Sequence, residues 1–454
     1  MDKQEKVIDL SKSINSKSDE FKSLSQDLQG NILAPHARDN AAHIFVEFKD
    51  QKCAQKFIKS YLVKRIVSSA KQKKDSEAFK KGKSNGLRTF LNFSLSMNGY
   101  KFLDIDNHKI PNDPSFRNGM KSKQGRLNDP TPNSWQDEYQ NEWHAIIIVS
   151  NKSVKYLKNR VSAIKKELKK NVAKSFYVEM GKGIRNKEGS HIEHFGYVDG
   201  ISQPHMLTDK IDDGKVSTEN WNPKGRLNLA LVKDSGGVGS NSFGSYLIYR
   251  KLDQNVKAFR LAENELAEKM QISVDYAGAQ MVGRYRNGTP LIPISPPQPT
   301  TTGKMNDFNY ASDRRTGSKC PFGSHIRKTN QRNSTMPDGV QFPRRGIPYG
   351  GNVTKDAEGG VGLLFMAYNS NIGSQFEFMQ SSWVNSEHFP GGSNSPNGID
   401  SIIGQGSKAS GQVYFKKWGD DTSAFRETPS LGGFVTMKGG EYFFTPSISF
   451  LKSI

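Results

Sequence analysis

The sequence predicts an α+β protein made of two ferredoxin-like domains, each an antiparallel sheet covered by helices. Two observations carry that expectation. In the first half, strand-like alternation and helix-like periodicity follow one another in the order β-α-β-β-α-β, which is the ferredoxin-like arrangement. Past residue 205 a similar succession of strand and helix patterns begins again, although no sequence repeat is visible.

Residues 1–26 read as a polar, frayed arm, and the first domain spans 27–205. Ile44, Val46 and Phe48 share one parity, as residues on one face of a strand do. "FKSYLVKRIVSSAKQKK" beyond them has a helical pattern. Leu91, Phe93 and Leu95 alternate as a second strand, and "HAIIIVS" (144–150) is a short, wholly apolar third. Leu157, Val161, Ile164, Leu168 and Val172 fall at helical spacing, with lysines around the other face. A last strand leads into "EHFGYVDGISQP" (193–204). The second domain spans 206–454. In it "GSYLIYRKL" (244–252) and "GLLFMAYN" (362–369) read as strands, "NVKAFRLAENELAEKM" and "GSQFEFMQSSWVN" as helices, and "DGVQFPRRGIPYG" as turn and strand. Residues 121–142 and 294–320 read as polar loops.

Composition narrows the class. Two cysteines, Cys53 and Cys320, without a C-x-x-C exclude a disulfide framework and a cysteine-based zinc site. The charged start, "MDKQEKVIDLSKSINSKSDEF", has no apolar core of a signal peptide, and no run is long enough to span a bilayer. The expectation is a soluble, cytoplasmic protein with no membrane partner. Lys and Arg number 65 against 45 Asp and Glu, a formal net charge of +20 that attracts anions. Nucleic acid is not expected as a partner, because none of its recognition motifs occurs. A homo-oligomer is left open.

Three stretches carry chemistry. In "EHFGYVDGISQP" a carboxylate, Asp199, stands among aromatic, β-branched and glycine residues that read as a buried strand end. Burying a charge costs several kcal/mol unless something pairs or uses it. The second stretch is "CPFGSHIRKTNQR" (320–332) and the third "RRGIPYG" (344–350).

Together these stretches resemble the dye-decolorizing peroxidases, a haem family. "DLQGNIL", "FGSYLIYRKL", "AQMVGRYRNGTPL" (279–291) and "GLLFMAYNSNI" (362–372) look like family segments in the family's order, so the resemblance runs from about residue 27 to the C-terminus. It implies one haem-binding unit formed by the two domains, with haem b held mainly by the second. It implies reduction of H2O2 through an oxyferryl porphyrin radical, with dyes, phenols or other one-electron donors as reducing substrates, anionic dyes among them. His325 becomes the proximal ligand and Asp199 the distal acid–base group. Arg344 is the cation beside the peroxide, with Arg345 as the alternative. Gly196 and Gly200 let the backbone approach a flat ring. Leu363 and Phe365 wall the distal pocket. Haem propionates need cations; Arg332 is the candidate, with Arg327 and Lys328 nearby left open as alternatives, and Gln331 stands where the family usually has proline. A ligating histidine donates its other ring nitrogen to an acceptor; Asp400 is the candidate and Glu377 its competitor. Trp135, Trp143, Trp221, Trp383 and Trp418 and the tyrosines are available as electron relays, none of them singled out by the sequence.

Three rivals stand beside this reading. His191, Glu193, His194 and His205 are a ligand set suited to zinc or iron(II). The lysine-rich stretches 64–83 and 158–170 suit a non-enzymatic binder of acidic polymers. Cys320 is a potential thiolate haem ligand, five residues before His325.

Overall fold

The computed structural model describes residues 7–83, 88–293, 298–300, 305–332, 339–352, 356–390, 397–405, 412–427 and 431–454. Of the stretches read above, residues 1–6, 84–87, 294–297, 301–304 and 338 lie outside these.

The stretch expected to be a frayed arm is docked from residue 7 on. Ile14 bridges to Leu207, and helix α1 (Asp19–Asp27) begins at Ser18, whose side chain accepts from Phe21 N. Ile8, Ile14, Phe21 and Leu24 are buried. Scattered among polar residues, these four apolar side chains are enough to anchor the segment.

The first half follows the predicted order: β1 (Asn40–Phe48), α2 (Gln51–Phe57, continued as a π-helix over Ile58–Leu62), β2 (Phe90–Leu95), β3 (Ala145–Asn151), α3 (Val154–Leu168) and β4 (Ala173–Lys182). Ile44 of β1 pairs with Ile147 of β3 on one side and Val178 of β4 on the other. Every residue of β3 is buried, which explains its unbroken apolar run. Burying each of Ile146, Ile147 and Ile148 stabilises the fold by about 1.5–3 kcal/mol. In α3, Leu157, Val161, Ile164 and Leu168 form the buried stripe. Residues 121–142, expected to be a polar loop, instead form short helical turns that bury Trp135 and Tyr139.

The second half repeats the plan with long insertions: β5 (Phe243–Gln254), α4 (Val256–Met270), α5 (Val274–Val282), α6 (His325–Thr329), β6 (Ile347–Tyr349), β7 (Gly362–Asn369) and β8 (Val435–Thr445). The expected helix at 373–384 is wound as two π-helical turns, Gly373–Glu377 and Met379–Val384. Strand order is β4-β1-β3-β2-β8-β5-β7-β6. Each half therefore has the same permutation, its fourth strand beside its first and its third beside its second. The halves join where Phe444 of β8 pairs with Leu95 of β2. The two outer strands also meet, since a Cβ on Gly181 of β4 would stand 2.6 Å from Ile347 of β6. The sheet thus curls toward a barrel. Among the described residues no helix is long and apolar enough to cross a membrane.

His43 of β1 is sealed inside this sheet, its Nδ1 3.2 Å from Tyr249 Oη and its Nε2 without a partner among the described residues. Burial pulls its pKa down to about 3. The unfolded chain, with histidine near its ordinary value of about 6.5, therefore binds more protons than the folded one between those limits. Stability must fall as pH falls through that window. The melting temperature is expected to drop on acidification from pH 7 to pH 5, and less steeply in His43→Gln. Parallel profiles for the two proteins would remove His43 as the cause.

Candidate active site

The loop after β4 is shaped by its own side chains. Glu193 accepts hydrogen bonds from Phe195 N at 2.8 Å and Tyr197 N at 3.0 Å, and Gln254 Nε2 of β5 donates to it at 2.6 Å. Burial raises the Glu193 pKa, with these hydrogen bonds opposing it. Tyr197 Oη donates to Glu263 at 2.6 Å, and Glu263 is itself paired with Arg260 and Arg286. Gly196 and Gly200 have φ of +88° and +77°, a region that favours glycine. Asp199 lies between these fixed points. The sequence placed it in a buried strand end; instead the turn leaves it exposed to an internal cavity. One carboxylate oxygen accepts from Gly200 N at 2.6 Å, and the other has no partner among the described residues. Gly200 lines the cavity as well. Gly196 does not, and its glycine is required by the turn and by Arg260, whose Nη2 would lie 2.9 Å from a Cβ there.

His325 opens α6 on another wall of the cavity. Its Nδ1 is 2.8 Å from Asp400 Oδ2, and Asp400 Oδ1 accepts from Ile402 N at 2.8 Å and Ile403 N at 3.0 Å. Asp400 is fully buried. Burial lowers the His325 pKa, but the charge and hydrogen bond of Asp400 outweigh it and the net shift is upward. A carboxylate can only accept from the neutral ring, so Nδ1 carries the proton and Nε2 keeps its lone pair toward the cavity. Glu377 is not the partner: it accepts from Tyr442 Oη at 3.1 Å and pairs with Arg126 at 3.1 Å.

Arg344 and Arg345 separate because consecutive residues of extended chain point to opposite sides. Arg344, bridged to Ala367 of β7, lines the cavity and donates to Ser202 O at 2.8 Å. Burial lowers its pKa, and the negative charge of Asp199 opposes this. Arg345 turns away and donates to Asn31 O and Ile32 O at 2.7 and 2.9 Å, pinning the N-terminal segment. Leu363 and Phe365 of β7 face the cavity, while Leu364 between them is buried on the other side.

At one edge of the cavity lie two guanidiniums. Arg332, at φ +48°, donates to Asn306 Oδ1 at 2.6 Å and Ser202 Oγ at 3.2 Å, and is held between the Trp221 and Phe308 rings at 4.3 and 3.9 Å. Arg284, which sequence reasoning missed, donates to Gly288 O at 2.7 Å and Met305 O at 2.6 Å. Burial pushes their pKa values down to about 10 and about 9. Neither pairs with a carboxylate among the described residues, and Arg332 Nε is buried without a partner. Arg327 and Lys328 point elsewhere, Arg327 to Asp313 at 2.5 Å and Lys328 to Ser386 O at 2.7 Å.

Two family models match the chain: "DyP dimeric alpha+beta barrel domain" over residues 27–182 and "Dyp-type peroxidase, C-terminal" over 195–389. The multifunctional dye peroxidase DyP2 of Amycolatopsis sp. is 38% identical over 98% of this chain and 100% of its own. The chain belongs to the dye-decolorizing, or DyP-type, peroxidase family. The crystal structure of the Anabaena sp. DyP-type peroxidase superposes with a TM-score of 0.87 at 38% identity, covering 97% of each chain. The structure of the Amycolatopsis DyP2 gives 0.91 at 36% identity, covering 98% of this chain and 100% of that one.

The chain is thus a peroxidase, an oxidoreductase acting on H2O2, of a haem-dependent family. Its donor set fits haem. A free imidazole Nε2 can ligate iron, and two buried cations without carboxylates, one with an orphaned N–H, suit the two propionates at the edge of an apolar slot. The rival ligand set disperses: His191 contacts Arg185, His194 Nε2 is 2.7 Å from Tyr349 O, and Glu193 holds backbone N–H groups. Cys320 does not line the cavity, and burial pushes its thiol up to about 11. Phe342 and Phe376, also unforeseen, complete the apolar wall.

Proposed function

We propose that the chain is a haem b peroxidase in which His325 would hold the iron, Asp199 would serve as the acid–base group and Arg344 would be the fixed cation beside it. Residues 27–205 contribute Asp199, and residues 206–454 contribute His325 and Arg344. The observation that carries this reading is that His325 Nε2 and the unpartnered Asp199 oxygen open onto one cavity, each fixed from behind. Bound there, haem supplies the two-electron reduction of H2O2 to water and recovers electrons from donors one at a time.

The chain's residues do the rest. Asp199 takes a proton from one peroxide oxygen and delivers it to the other, so that the departing oxygen leaves as water. Arg344 offers preorganised positive charge to the oxygen that gains negative charge. Asp400 keeps the His325 proton on Nδ1 and orients the ring. Arg332 and Arg284 would hold the propionates. Leu363 and Phe365, on the cavity wall, would restrict access to small peroxides. Phenols and anionic dyes are the proposed donors. Two findings support that class: the name of the Amycolatopsis relative, and a solved relative, 25% identical, described as a complex with 2,6-dimethoxyphenol.

One experiment tests both halves of the reading. The purified holoenzyme should change its Soret absorption on adding H2O2 and revert when a donor follows. With a net charge of +20, the second-order rate for a sulfonated dye should fall as NaCl rises, because steering is screened over about 8–10 Å at physiological salt. A neutral phenol should respond little. An inert Soret band overturns the peroxidase site; equal salt responses overturn steering of anionic donors.

A further inference from the structure

Asp199 does little to fix its own carboxylate. Its one side-chain hydrogen bond among the described residues comes from the N–H of the next residue, Gly200. The place of that carboxylate is therefore set by the backbone that carries it. Residues 195–198 are fastened to α4 and to the segment after α5, and these fasteners all meet at Glu263 of α4. Tyr197 Oη donates to Glu263 Oε1 at 2.6 Å. Arg286 Nη2 donates to both Glu263 oxygens, at 2.8 and 2.6 Å, while the Arg286 carbonyl accepts from Val198 N at 3.0 Å. Arg260 Nη1 donates to Glu263 Oε2 at 2.8 Å, and Arg260 Nη2 donates to Phe195 O.

Glu263 is fully buried and does not line the cavity, so it does not act on peroxide directly. A carboxylate is almost never buried in full unless it is paired. Such a pair adds little net stability, because the loss of water offsets the attraction. What it does fix is geometry. Two further observations show the packing arranged around it. Phe259, four residues earlier and so on the same face of α4, stacks on Phe195 at 4.3 Å and meets Tyr197 edge to face at 6.1 Å. Gly278 stands inside α5, where alanine would favour the helix more. A Cβ there would collide with Tyr197 Oη and Glu263 Oε1, so the glycine makes room for this one hydrogen bond.

We propose that Glu263 is a positioning residue for the peroxide step: through Tyr197, Arg286 and Arg260 it fixes residues 195–198 and so the direction in which Asp199 presents its carboxylate. The proposal rests on the reading of Asp199 as the acid–base group. Glu263 itself moves no proton. Its effect is geometric, because a group that carries a proton between two oxygens must stay within hydrogen-bond reach of both. A misplacement of about 1 Å can cost about 10²-fold in rate. The His325–Asp400 pair takes no part in this cluster, so haem content should hold when Glu263 is changed.

The test is a double-mutant cycle on the holoenzyme at matched haem content. Glu263→Gln keeps the shape of the side chain and removes the charge that gathers the two guanidiniums. The stopped-flow rate of the Soret change on mixing with H2O2 should fall by about tenfold or more. The return of the band when a phenol follows should keep its rate. In an Asp199→Asn background the same substitution should cost less than about twofold, because no proton carrier is left to position. A residue that merely stabilises the fold would leave the rate alone or slow both backgrounds equally. Tyr197→Phe removes one hydroxyl and keeps the ring on Phe259, so it stands in should Glu263→Gln fail to fold or to load haem. With Asp199 intact its rate should fall by about threefold or more, the worth of one hydrogen bond, and with Asp199→Asn it should hold. A wild-type rate in Glu263→Gln, or in Tyr197→Phe where that variant stands in, overturns the positioning role, and so do equal losses in the two backgrounds. An Asp199→Asn enzyme that reacts with H2O2 at the wild-type rate overturns the acid–base reading instead.

Discussion

His325→Ala is expected to purify with most of its haem missing, or with a Soret band unlike that of the wild type. His325 is the side chain in the cavity whose ring is oriented by a buried carboxylate, through the 2.8 Å bond to Asp400. Removing it would take away the imidazole proposed to hold the iron and would leave Asp400 buried with one oxygen unpaired, though still held by two backbone N–H groups. Asp400→Asn is the graded control. It keeps the imidazole but withdraws the negative charge that raises its basicity, and loss of such a supporting partner typically costs about 10–100-fold in metal affinity or activity. Haem content by pyridine haemochrome, together with the absorption spectrum, reads both variants. Full haem content and an unaltered spectrum in His325→Ala would move the ligand elsewhere and with it the whole orientation of the site.

What the sequence disclosed depended on the range of the interaction. The apolar run of β3 and the stripe Leu157, Val161, Ile164, Leu168 are local consequences of burial, so strand and helix were legible. His325 and Asp199 stand in short motifs, where neighbouring residues set the backbone. Arg344 was preferred to Arg345 on the resemblance alone; which of the two faces the cavity is fixed by the partner strand β7. Asp400 and Glu377 posed the same problem at longer range, 75 residues from His325 in the case of Asp400. Arg284 was invisible because one arginine among 65 basic residues carries no signal until folding brings it and Arg332 to the same Asn306. The N-terminal segment and residues 121–142 were misread for a related reason. Their polar composition hid a few apolar side chains, such as Phe21, Trp135 and Tyr139, whose burial decides the conformation.

Asp199→Asn and Arg344→Leu are each expected to slow the reaction with H2O2 severely, and not for the same reason. Asparagine keeps the size of the side chain and can still accept from Gly200 N, so the turn set by Gly196, Glu193 and Tyr197 should survive. It cannot carry a proton between the two peroxide oxygens, and loss of a positioned acid–base group typically costs about 10²–10⁴-fold. Arg344→Leu leaves the proton carrier in place and removes a preorganised charge, a loss of about 10²–10³-fold by comparison with single donors in other sites. It also frees Ser202 O, so its effect includes some loosening of the loop that follows Asp199. Stopped-flow rates of the Soret change on mixing with H2O2, at matched haem content, separate these effects from haem loss. Arg344→Lys should recover part of the rate, because the charge returns without the planar guanidinium that reaches Ser202. Arg345→Leu should react with H2O2 at nearly the wild-type rate and lose stability instead, since its bonds run to Asn31 O and Ile32 O. The reverse pattern, with Arg345→Leu slow toward H2O2 and Arg344→Leu normal, would mean that the cation acting on peroxide is not the one the cavity presents.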